Sequence, residues 1–167
     1  MTMLETCADC GISLAPVDTA AHAYLGASPS CWALYGEVLA REYCDPAYFR
    51  AHRMTVDAYA AQHPGRAERR AVRSINLHLA GLYVMIERGQ SGEHARRVIT
   101  RLASRDDDAF AWPTRPGSLG EVRIDHVAGA DGAADHAGRV ERWAGAVWSA
   151  WSAHHGRIAR MVASVGG

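Results

Sequence analysis

The sequence predicts an all-α fold, a helical bundle of about four to five helices with a loop-rich N-terminal cysteine knuckle. Apolar residues recur at helical spacing along most of the 167 residues. Helix starts are written as Ser-Pro and Asp-Pro pairs. A Cys-x-x-Cys-Gly sequence precedes the first of them. Nearly half the residues are hydrophobic, enough to bury a core in a single domain spanning 1–167.

Residues 1–27 read as the loop-rich, metal-binding head, with Cys7, Cys10 and Gly11 followed by Pro16, Asp18 and Gly26. Residues 28–105 hold four helices. Ser28 caps the first and Pro29 opens it, with Trp32, Leu34, Tyr35, Val38 and Leu39 along it to about Glu42. Asp45-Pro46 starts a second helix, which His63-Pro64-Gly65 ends, because the residue before proline is pushed out of the α region. A third runs from about Ala67 to Arg88 through Val72, Ile75, Leu79, Leu82 and Ile86, with Gly89 as its C-terminal stop. Ser91 caps a fourth, to about Ser104. Residues 106–134, with Pro113, Pro116 and several glycines, form a surface connection with a short strand at 121–127. The C-terminal helix occupies 135–163 and carries Val140, Val147, Trp151, Ile158 and Met161 as its apolar stripe.

Arginine supplies all eighteen basic side chains and is balanced by eighteen acids. Neutral balance argues against nucleic acid or an anionic membrane as partner, leaving a small molecule or another protein. No signal-peptide pattern opens the chain and no stretch is apolar enough to span a membrane, so the expected location is cytoplasmic. Thiols stay reduced there, which makes a close cysteine pair a metal or redox site sooner than a disulfide.

Cys7 and Cys10 can chelate one tetrahedral ion from a knuckle turn. Cys31, in the first turn of the first helix, is near enough to fold back as a third thiolate, and Cys44 reads as a free thiol. On the second helix Phe49, His52, Val56, Tyr59, Ala60 and His63 fall on one face, and His63 offers a fourth ligand. The first reading is therefore a zinc-binding bundle with ligands Cys7, Cys10, Cys31 and His63, a closed set whose Zn2+ ties the head to the helices. The alternative is a metalloenzyme. His63, His78 and His155 would hold the ion from three helices, with Asp57 orienting a ligand or acting as base. Trp143, Trp148 and Trp151 would wall its pocket. A redox pair at Cys7 and Cys10 is the third reading. His22, His94, His126 and His136 read as surface residues, and the arginines of 66–73 and 96–105 as solvated helix faces.

Cys7-x-x-Cys10-Gly11, Ser30-Cys31 and Val56-Asp57-Ala58-Tyr59-Ala60-x-Gln62-His63-Pro64-Gly65 together resemble a bacterial family known only as a domain of unknown function. His78-Leu79 and the closing Trp143-x4-Trp148-x-x-Trp151-x-x-His154-His155 extend the likeness. Histidines on separate helices also resemble, at the level of fold, the DinB-like superfamily. That likeness implies a divalent metal on a His triad and a metal-dependent hydrolase or thiol transferase. The last helix, however, lacks a His-x-x-x-His pair.

Overall fold

The computed structural model describes residues 3–166. Among them are eight α-helices and one two-stranded antiparallel ribbon. In the head, β1 (Glu5–Thr6) pairs with β2 (Ser13–Leu14), Glu5 opposite Leu14 and Thr6 opposite Ser13. The head is thus a short hairpin whose tip is the cysteine knuckle, where the sequence suggested loop alone.

Helix α1 (Pro29–Cys44) begins as expected: Ser28 Oγ accepts from the Cys31 amide, with Pro29 in the first turn. It stops because Asp45, before Pro46, is extended at φ −144° and ψ 121°. The predicted second helix is two pieces, α2 (Pro46–Phe49) and α3 (His52–Gln62). Between them the Ala51 amide turns back to the Tyr48 carbonyl. Buried Glu42 supplies the reason for the break. Its carboxylate takes His52 Nδ1 at 2.8 Å and the Thr55 hydroxyl at 2.5 Å, drawing the first turn of α3 onto α1. The proposed common face is corrected accordingly: Phe49 is exposed and His52 turns to Glu42, whereas His63 is wholly buried.

Helix α4 (Arg69–Leu82) runs into a wide π turn over Tyr83–Glu87, and Gly89 follows at φ 60°. Ser91 Oγ caps α5 (Gly92–Ala103) through the His94 amide. The strand expected at 121–127 is instead α6 (Ile124–Ala128). Ile124 and Val127, three apart, both enter the core from one helical turn, which two-residue alternation cannot arrange.

The C-terminal helix is likewise divided, into α7 (Ala133–Ala150) and α8 (His155–Ala163), with a 3-10 turn at Ser152–His154. At this corner Trp151 Nε1 donates to the Ala61 carbonyl, and His155 Nε2 donates to the Trp148 carbonyl that the break leaves open. Helix α3 packs chiefly on α4 and α7 and also meets α5 and α1. This central position matters for the site, because α3 delivers His63 into the interior.

No helix among the described residues is long and apolar enough to cross a membrane.

Candidate metal centre

The knuckle is built by two backbone bonds. The Cys7 amide donates to the Ile12 carbonyl at 2.8 Å, and the Gly11 amide to the Cys7 carbonyl at 3.0 Å. Gly11 closes the turn at φ 73°, where a side chain would be strained. Both thiols point inward from this turn. Cys31 comes from the capped first turn of α1, and His63 from the end of α3, bent out of helical geometry at φ −127° and ψ 57° before Pro64.

These four side chains meet. Cys10 Sγ lies 3.9 Å from Cys31 Sγ, and Cys31 Sγ lies 3.4 Å from His63 Nε2. All four ligand atoms fall within 4.8 Å of one another, and all four residues are buried. A tetrahedral ion with Zn–S of about 2.3 Å and Zn–N of about 2.0–2.1 Å needs S···S edges of roughly 3.7 Å and S···N edges of roughly 3.5 Å. The observed 3.9 and 3.4 Å fit that polyhedron. The cluster can hold a metal ion.

The surroundings prepare each ligand. His63 Nδ1 donates to the Tyr59 carbonyl at 2.8 Å, one turn back on α3, which leaves the Nε2 lone pair for the thiols. Tyr59, stacked on Tyr35 at 3.8 Å, places its hydroxyl 3.5 Å from Cys31 Sγ. Cys7 Sγ reaches the Gly26 carbonyl at 3.6 Å.

Charge is shared unevenly. Hydrogen bonds from Cys10 and Cys31 hold the Cys7 thiol far below the usual range. The same contacts with Cys10 and Cys7, together with burial, push Cys31 up. Burial opposes charge on His63, but hydrogen bonding to Cys10 and Cys7 overcomes it and raises the imidazole to about 9. A thiolate beside an imidazolium describes the metal-free site.

The head is also stitched down around the cluster. Asp9 accepts the Gly65 amide at 2.8 Å and pairs with Arg115 at 2.5 Å, while Arg123 Nε donates to the Cys10 carbonyl at 2.6 Å. Gly65 has φ 70°, and a Cβ there would collide with the Tyr24 carbonyl, so the strand of the head can lie against the His63-Pro64-Gly65 corner.

Residues 5–152 match the family of unknown function DUF5946. The chain belongs to this family. The DUF5946 match spans the knuckle, Cys31, His63 and the tryptophans up to Trp151, whereas His154, His155 and α8 lie beyond it. No curated protein and no solved structure matches the chain.

The alternative histidine set is not brought together. His63 is in the cysteine cluster. His78 Nδ1 is bound to Asp57 at 2.7 Å, and His155 is stacked on Trp148 at 3.7 Å with Nε2 on the Trp148 carbonyl. Asp57 is buried beneath Arg53 and His78, apart from the thiols. Nor do the tryptophans wall a pocket. Trp143, Trp148 and Trp151 are core residues whose indole N–H groups donate to Gln62, Glu87 and the Ala61 carbonyl. Cys44 is exposed and isolated from the cluster.

Sequence reasoning missed Glu42 and misplaced His136. Both are fully buried, and His136 Nε2 lies 2.8 Å from Glu42 Oε1. An acid in the apolar heptads of α1 is a signal that was available. Its partner, 94 residues on, had none.

Proposed function

We propose that Cys7, Cys10, Cys31 and His63 bind one Zn2+ whose role is structural: it fastens the hairpin head and, through it, the segment around Arg115 and Arg123 to the bundle. The observation that carries this reading is the convergence of four buried ligand atoms within 4.8 Å from three separate parts of the chain. Three thiolates and one imidazole suit zinc, and four protein ligands leave no position for water or substrate, which distinguishes a structural site from a catalytic one. The described cysteines form no disulfides, so reduced thiols are available to the ion.

The hairpin supports the same role. It has only two residues in each strand, and a two-stranded ribbon is marginal without something to dock on. Metal binding energy supplies the missing stability directly, since the ligands converge only in the folded chain.

The test is His63→Ala, with zinc content and melting temperature measured on the same sample. Loss of most bound zinc together with a lower melting temperature supports the assignment. Full zinc occupancy in this variant overturns it.

A further inference from the structure

Away from the cysteine cluster, an open cavity of about 340 Å³ lies along α4, lined by Tyr24, Arg70, Arg73, Ser74, Leu77 and His78. Arg70, Ser74 and His78 are spaced four apart and so share one face of the helix. Tyr24 comes from the head, so the cavity is completed only when the head is docked.

The polar groups of this cavity are not equally committed. Arg73 is occupied: its guanidinium holds Asp107 and the Ala103 and Arg105 carbonyls, and lies over the Phe110 ring. By contrast, the Arg70 guanidinium and the hydroxyls of Tyr24 and Ser74 have no hydrogen-bond partner among the described residues. Three sets of donors therefore remain.

His78 contributes something different. Its Nδ1 lies 2.7 Å from Oδ1 of Asp57, which is fully buried and also takes Arg53 in an ion pair. Arg53 is always cationic and balances the carboxylate, so the imidazole can stay neutral with Nδ1–H donating to Asp57. That tautomer leaves Nε2, at the far end of the ring, as an acceptor. Its side chain is 22% exposed and lines the cavity.

We propose that this cavity binds a monoprotonated phosphate group, either free phosphate or the head of a phosphomonoester. Arg70, Tyr24 and Ser74 donate to its charged oxygens, and His78 Nε2 accepts its O–H. A carboxylate or sulfate offers no proton to that acceptor at neutral pH. One fixed acceptor set among donors is thus a device for choosing phosphate.

The test is calorimetric titration of the full-length, zinc-loaded protein with sodium phosphate and with sodium sulfate at equal ionic strength. Saturable phosphate binding at least about tenfold tighter than sulfate is expected, because the unpaired acceptor rejects the analogue lacking a proton. Arg70→Ala, an exposed residue without internal partners, weakens phosphate by about tenfold or more. His78→Ala abolishes the preference over sulfate. Arg105→Ala, which removes a nearby charge outside the cavity, leaves the affinity within about twofold.

No saturable phosphate binding up to about 10 mM overturns the proposal. So does sulfate binding as tightly as phosphate, or an Arg105→Ala loss equal to that of Arg70→Ala. Phenyl phosphate separates the two sources. Tighter binding than phosphate assigns an ester resting on Tyr24 and Leu77, equal or weaker binding assigns the free ion, and either supports phosphate as the recognised group.

Discussion

Replacing Gln62 by leucine removes three hydrogen bonds and keeps nearly the same volume. Gln62 is wholly buried at the end of α3. Its amide nitrogen donates to the Leu119 carbonyl at 3.1 Å and the Val122 carbonyl at 2.8 Å, and its oxygen accepts from Trp143 Nε1 at 2.9 Å. One side chain thus joins α3 to α7 and to the segment leading into α6. In Gln62→Leu all three partners lose their bond, and each buried unpaired group costs about 1–3 kcal/mol. Val122 is only half-buried, so water can reach its carbonyl and reduce the cost there. The expected loss is about 3–5 kcal/mol, a large share of the roughly 5–15 kcal/mol typical of a domain. Urea unfolding followed by tryptophan fluorescence measures it, with the zinc content checked in parallel. Zinc should stay bound, because Gln62 touches none of the ligands. A loss below about 1 kcal/mol would refute the reasoning and mean that this junction is not held by Gln62.

Three further outcomes follow from the same geometry. Cys7→Ser and Cys10→Ser should each abolish stoichiometric zinc, whereas Cys44→Ser, altering an exposed thiol, should change neither zinc content nor melting temperature; damage from the Cys44 variant equal to the others contradicts the ligand assignment. Glu42→Ala should cost about 3–5 kcal/mol in chemical denaturation, since it strands His136 and Thr55 in the interior; a change within experimental error would show that the carboxylate is dispensable. In metal-free protein, Cys7 is depressed, so its contribution grows as pH rises towards its ordinary 9.0, while His63, raised to about 9, contributes fully below its ordinary 6.5 and loses that contribution by about 9. The two changes cancel between 6.5 and about 9, and below 6.5 only the unfolded chain takes up the extra proton. Stability should therefore be level across that window and fall on acidification below it; thermal melts that rise below pH 6.5 contradict the thiolate–imidazolium pair.

The cysteine cluster was legible because its parts carry local signals. Two cysteines and a glycine specify a knuckle turn, Ser28-Pro29 places Cys31 in a first helical turn, and Pro64 forces His63 out of its helix. What local signals could not show is how distant side chains divide the helices. The break before His52 depends on Glu42, and the corner at Trp151 depends on the Ala61 carbonyl, 90 residues earlier in the chain. His136 was misread for the same reason: nothing near it in sequence marks a buried acid waiting on α1. The strand expected at 121–127 failed because Val122 and Ile124 fit alternation as well as Ile124 and Val127 fit a helical turn, and core packing decided for the helix. Asp57 was correctly seen as a residue that orients an imidazole, but the imidazole is His78 on α4, away from the thiols.

X-ray absorption at the zinc edge, on protein purified without a histidine tag, examines the metal centre most directly. A structural site made by Cys7, Cys10, Cys31 and His63 gives one zinc per chain with three sulfur neighbours at about 2.3 Å and one nitrogen at about 2.0–2.1 Å. A first shell of nitrogen and oxygen atoms that includes a water, or folded protein that takes up no zinc, would contradict it.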